Sequence, residues 1–211
     1  MFKFTSNELR DLFISFLVIS FGFAFIFSGR NFSTVWYLLP IAMIGVGSGF
    51  ILHEIAHKIT SMHYGYWAEY KLWPTGLLIA LVTAFMGFLF AAPGAVYFYG
   101  NHVTKKENGI VSLAGPVTNI LIALVFLFLA ILMRPFLNPA DGIIMIIFQT
   151  FIIGFTINSY LALFNMIPFA GLDGSKVIRW NPLIWIVVVI ISGAMTYLGW
   201  TNQLIPFILG F

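Results

Sequence analysis

Apolar runs long enough to cross a bilayer alternate with short polar stretches along this chain, at about 12–28, 35–60, 110–133, 143–166 and 182–200. A hydrocarbon core about 30 Å thick takes roughly 20 apolar residues as helix. About five transmembrane helices are therefore expected, in an all-α polytopic membrane protein. The first run follows Lys3, Arg10 and Asp11, as a secretory signal core would. It lacks a small-x-small cleavage site and is long for such a core, so it reads as a retained span. Gly45 and Gly49 in the second run form a small-xxx-small pair, the pattern of close helix packing. The tail 201–211 is apolar but too short to span.

The stretch 73–100, after the polar segment 61–71, breaks this rhythm. Its first half, 75–90, is rich in Leu, Ala, Met and Phe and reads as helix; the second, 91–100, carries Pro93-Gly94 and continues in β-formers, so it reads as extended. Extended backbone at membrane depth is tolerated only where protein buries it or it lines a wet cavity. A polar loop, 101–108, follows.

Composition changes the picture in three ways. With 61% hydrophobic and 8% charged residues, against roughly 45–50% and about 25% in a soluble domain, a water-soluble globule is excluded. The net charge of +3 is scattered over short loops, so it reads as membrane topology and not as a nucleic-acid footprint. The chain has no cysteine, so disulfides, thiolate nucleophiles and Cys-ligated metals are out, and any metal must be held by His, Asp or Glu. A single membrane-embedded domain, 1–211, is expected.

The decisive string is His53-Glu54-Ile55-Ala56-His57. Residues four apart on a helix share one face, so the two imidazoles can grip one ion, with Glu54 beside it to take a proton from water. Ionisable groups inside an apolar run are expensive, and a functional site is the default reading. Lys58 fits a snorkelling interface anchor. Hydrolytic zinc usually has three protein ligands. The sequence offers Glu8, Asp11, Glu69, Glu107, Asp141 and Asp173 as the third, the last either a ligand presented by a helix broken at Pro168 and Gly171 or a plain Asp-Gly turn. His63 and His102 read as ordinary interface residues, and Trp36, Tyr37, Trp67, Tyr70, Trp73 and Trp185 as interfacial aromatic belts.

Three strings, in order and each in an apolar segment, together resemble the site-2 protease family of intramembrane zinc metalloproteases: the His-Glu-x-x-His string at 53–57, Gly115-Pro116-Val117-Thr118-Asn119, and Asn165…Pro168…Leu172-Asp173-Gly174. The resemblance covers a catalytic core at about 35–176, leaving 12–28 and 182–200 as accessory spans. It implies one Zn²⁺ per chain, held by His53, His57 and Asp173, with Glu54 as the catalytic acid/base. It further implies that Asn165 hydrogen-bonds the substrate or the developing oxyanion, with Asn119 in a supporting role there. The segment Ala92–Tyr97 is similar to the family's re-entrant β element, which implies pairing of an unwound substrate with Ala95, Val96, Tyr97, Phe98 and Tyr99. The insertion 75–90 and the lack of PDZ and CBS modules depart from some members.

If Asp173 and the two histidines share one ion, the chain between them crosses an even number of times, so 75–100 must return. It either dips in and out, or its helix crosses and 91–100 comes back extended. The charges agree: with the N-terminus in the cytoplasm, Lys3, Arg10, Lys58, Lys71, Lys105, Lys106, Lys176 and Arg179 lie inside, and only Arg30 and Arg134 outside. The expected activity is hydrolysis of peptide bonds in or near transmembrane segments of a protein substrate, in the cell membrane, with the zinc site toward the cytoplasm. The alternative is an intramembrane metal or proton transporter using the same cluster, although no inverted repeat supports it.

Overall fold

Thr5 caps the first helix, α1 (Ser6–Phe27): its hydroxyl accepts from the Glu8 N–H, and the Glu8 carboxylate reaches back to the Thr5 N–H. In this computed structural model the described residues are 3–100, 102–169, 171–201 and 203–210. Asn101, which opens the expected loop 101–108, and the end of the tail at Phe211 lie outside them. After α1 comes one continuous rod, in which α2 (Phe32–Val46) passes through a π-helical turn (Gly47–Ile51) into α3 (Leu52–His63). Then follow β1 (Trp67–Leu72), α4 (Pro74–Met86), β2 (Gly94–Tyr99), α5 (Lys105–Met133) with a short 3₁₀ turn, α6 (Gly142–Asn165), α7 (Gly174–Trp180), α8 (Pro182–Trp200) and α9 (Leu204–Leu209).

Among the described residues, five helices are long and apolar enough to cross a membrane: Ser6–Phe27, Phe32–His63, Lys105–Phe136, Gly142–Asn165 and Pro182–Trp200. The expected number and order hold. The third begins a turn before the apolar run because Thr104 and Glu107 form a second capping box. α6 is the central post, packed against α2, α5 and α8. Its Ile157 joins Ile19 and Phe23 of α1 and Val35, Ala42 and Val46 of α2 in a fully buried core.

The excursion between α3 and α5 returns, led out by β1 and a helix and back by an extended segment. β1 runs beside the start of α1, where Thr5 Oγ1 donates to Glu69, and Glu8 and Asp11 accept from the N–H groups of Tyr70 and Leu72. α4 continues in the same direction and ends against the far end of α1, its Phe85 ring 4.7 Å from Phe25 and 6.3 Å from Phe32. Together β1 and α4 thus track α1, whose 22 residues span roughly 33 Å at about 1.5 Å each. The helix stops at Met86, not at 90 as expected, because Gly87 turns left-handed at φ 96°.

The chain then comes back extended, and its backbone is covered. The Thr83 hydroxyl accepts from the Phe90 N–H, Tyr160 donates to the Leu89 carbonyl, and the Trp73 N–H donates to the Pro93 carbonyl. Leu89 and Ala91 are buried. β2 finally pairs antiparallel with β1, from Trp67↔Tyr99 to Leu72↔Gly94. The polar stretch 61–71 thus hides a strand that the charge of Glu69 and Lys71 obscures.

The interface role expected of Lys58 is corrected: the side chain is buried, and its ammonium donates to Glu8 at 2.5 Å. One carboxylate therefore joins α1, β1 and the helix of the histidines. Breaking a buried pair from one side costs about 3–5 kcal/mol. Glu8→Gln, which keeps the acceptor for Tyr70 but removes the charge, is expected to cost about that much, with Lys58→Met in the same chain recovering most of it. Thermal unfolding in detergent micelles is the check, and an unchanged unfolding temperature for Glu8→Gln would refute the buried pair.

Candidate metal centre

α3 carries His53 and His57 one turn apart on the same face. Each ring is held from behind. His53 Nδ1 lies 2.5 Å from Asn119 Oδ1, and His57 Nδ1 lies 2.7 Å from the Val111 carbonyl. A carbonyl oxygen only accepts, so the ring proton of His57 sits on Nδ1. The Asn119 amide nitrogen donates to the Gly49 carbonyl at 3.2 Å, which leaves its oxygen for His53 and fixes that proton on Nδ1 too. Both Nε2 atoms then present lone pairs.

Those lone pairs converge. The two Nε2 atoms stand 2.9 Å apart, and Asp173 Oδ2 lies 3.3 Å from one and 3.0 Å from the other. Three electron-rich atoms this close, all in buried side chains, repel unless a cation lies among them. Tetrahedral zinc with bonds of about 2.0–2.1 Å holds its ligand atoms roughly 3.3 Å apart. His53, His57 and Asp173 therefore fit zinc in number, type and spacing. Space is kept for it at Gly115, where a Cβ would stand 2.5 Å from His53 Nε2 and 2.6 Å from His57 Nε2. Lys176, expected only as a cytoplasmic charge, lies 3.6 Å from Asp173 Oδ1.

Glu54 lines the same cavity as His53, His57 and Asp173, and its Oε2 is buried without a partner among the described residues. The other acids weighed as third ligands are engaged elsewhere. Glu8 and Asp11 hold β1, Glu69 accepts from Thr5, and Glu107 and Asp141 cap α5 and α6. Asn165 lines the cavity, with its amide turned back to the Leu161 carbonyl at 2.9 Å. Asn119 stands elsewhere than expected: fully buried, it sits behind His53 with both ends of its amide engaged and does not reach the cavity.

β2 lines the opposite wall, from Gly94 to Phe98. Its edge can be read from β1. The N–H groups of Tyr70 and Leu72 donate to α1, so their partners Val96 and Gly94 belong to the non-hydrogen-bonded pairs. By the same alternation Phe98 does too. Of the five expected pairing residues, Val96 and Phe98 therefore turn their N–H and C=O to the open edge, while Ala95, Tyr97 and Tyr99 bond to β1.

No family model matches this chain, and no solved structure matches it. It is similar to "Putative zinc metalloprotease MJ0611" of Methanocaldococcus jannaschii, with 42% identity over 200 residues, covering 94% of this chain and 97% of that protein. It is also similar to "Putative zinc metalloprotease YwhC" of Bacillus subtilis, 30% identical over 154 residues and covering 67% of this chain and 69% of that one. A third relative, "Putative zinc metalloprotease Rip2" of Mycolicibacterium smegmatis, is 31% identical over 139 residues, covering 58% and 50%. Identity running nearly end to end with the first of these agrees with the zinc-shaped arrangement of His53, His57 and Asp173, and the chain belongs with them to the compact, site-2 protease-like family of zinc metalloproteases.

Proposed function

We propose that this chain is an intramembrane endopeptidase that hydrolyses peptide bonds in or near the transmembrane segments of other membrane proteins. The observation that carries the reading is Glu54 Oε2, buried without a hydrogen-bond partner among the described residues and set beside His53, His57 and Asp173 in a cavity walled by β2. When bound, zinc supplies a Lewis acid that acidifies water and polarises the scissile carbonyl. Glu54 takes the proton of the attacking water and delivers it to the leaving amine. Asn165 swings its amide from the Leu161 carbonyl toward the developing oxyanion.

A helical substrate hides its peptide bonds in its own hydrogen bonds. An unwound stretch laid along Val96 and Phe98 recovers some of them by strand addition. The substrate reaches the site within the bilayer, and the excess of Lys and Arg on the Lys105 side orients that end, with the N-terminus, toward the cytoplasm.

Glu54→Gln is expected to retain zinc and fold while cleavage of a transmembrane substrate in proteoliposomes falls by about 10²–10⁴-fold; undiminished cleavage would remove Glu54 from the chemistry. Gly115→Ala is expected to weaken zinc binding by at least ~10-fold, read by metal content after dialysis. Phe98→Pro deletes an outward N–H and no rung of the β1–β2 ladder, so cleavage should drop with zinc content unchanged. Equal rates for Phe98→Pro and wild type would end the strand-addition role. The cysteine-free background makes sidedness testable. An impermeant maleimide should label Ser33→Cys in intact cells and Lys105→Cys only after permeabilisation, and the reverse pattern would invert the orientation.

A further inference from the structure

Behind Asn119 stands a second buried amide, Asn158 of α6, which plays no part in the mechanism above. Its Nδ2 donates to the Gly45 carbonyl at 3.2 Å and to the Gly154 carbonyl at 2.9 Å, and its Oδ1 accepts from Asn119 Nδ2 at 3.2 Å. Both asparagines have no exposed surface. The approach is close because the π-helical turn brings a glycine here: a Cβ at Gly49 would stand 3.0 Å from Asn158 Oδ1. A widened π turn also loosens the i→i+4 ladder, so the carbonyls of Gly45 and Gly49 accept from side chains.

The polarity of this relay admits one solution. Gly45 and Gly154 offer carbonyl oxygens, so the atom of Asn158 that faces them is the nitrogen. Its oxygen then faces Asn119, which answers with its own nitrogen, shared with the Gly49 carbonyl. That leaves Asn119 Oδ1 for His53 Nδ1, the proton on that nitrogen, and the Nε2 lone pair toward the ion. Partners behind ligating imidazoles set tautomer and ring orientation, and their loss typically costs about 10–100-fold in metal affinity.

We propose that Asn158 is a positioning residue of the metal centre, fixing the direction of the Asn119 amide so that His53 presents Nε2 to the ion. The inference rests on the reading of His53, His57 and Asp173 as the zinc ligands. Asn158 acts through Asn119, so its removal matters only while Asn119 is present.

The test is zinc affinity by chelator competition on detergent-purified wild type, Asn158→Leu, Asn119→Leu, the double variant, and Thr156→Val as a control in the same helix. The absorption spectrum of the Co²⁺-loaded forms is recorded in parallel. Asn158→Leu should bind zinc about 10–100-fold more weakly and shift the Co²⁺ spectrum, while adding nothing on the Asn119→Leu background. Thr156→Val, whose hydroxyl bonds its own helix at Ile152, should match wild type. An equal loss on both backgrounds, or wild-type affinity and spectrum in Asn158→Leu, would overturn the proposal. Should the leucine variant not fold, Asn158→Asp has the same size and puts an oxygen against the Gly45 carbonyl, so wild-type zinc affinity there is equally fatal. A wild-type protein that holds no zinc would instead overturn the metal-centre reading itself.

Discussion

The fold depends on one constraint: three lone pairs, on His53 Nε2, His57 Nε2 and Asp173 Oδ2, meet within 2.9–3.3 Å inside an apolar protein. Such a meeting suits a cation, provided that each side chain is held in place against the repulsion among the three. Every holding device is backbone or amide. Val111 and Asn119 fix the two rings from α5. Asp173 arrives after α6 and is followed at once by α7. Helices α3, α5 and the α7 turn thus meet at one point, and α6 is central because it packs against α2, α5, α8 and the π turn and leads into the segment that carries Asp173.

The second demand is that a strand edge face this site in a setting with little water to satisfy it. Carrying extended backbone at that depth requires partners for each N–H and C=O. The molecule supplies them twice. β1 gives β2 its inner partner, and the return 87–93 borrows Thr83, Tyr160 and Trp73. α1 in turn anchors β1 through Glu8 and Asp11. The span expected as accessory to a core at 35–176 therefore sets where that edge stands relative to the histidines, because Glu8 also holds Lys58, the residue after His57.

The parts legible in the sequence are those whose signal is local. Apolar run length gave five spans, and the His-Glu-x-x-His spacing gave two ligands and their neighbour. The return of 75–100 followed from parity, a global argument that needs only charges and one shared ion. What escaped was set by contacts distant in sequence. β1 alternates its buried Ala68 and Tyr70 with outward residues, but over only six positions and with two charges, a pattern too short to outweigh the polar composition. Lys58 could be seen as ionisable but not as paired, since its partner lies 50 residues away on another helix. Asn119 and Asn158 look like any buried amides until the π turn exposes the carbonyls that orient them.

Scarcity of charge makes the assignment of Glu54 an argument by elimination. The chain has seven acidic residues. Glu8, Asp11 and Glu69 tie β1 to α1, Glu107 and Asp141 cap helices, and Asp173 faces the two imidazoles. In each case the carboxylate is engaged by donors or by the metal-ligand cluster. Glu54 alone keeps a buried carboxylate oxygen without a donor among the described residues. Leaving an acceptor buried and unmatched costs stability, about 1–3 kcal/mol or more for a charged group. A fold that spends its other acids so economically tolerates that cost at one place, beside three converging ligands and an open strand edge. An acceptor left free there is one that can take up a proton when water and substrate enter.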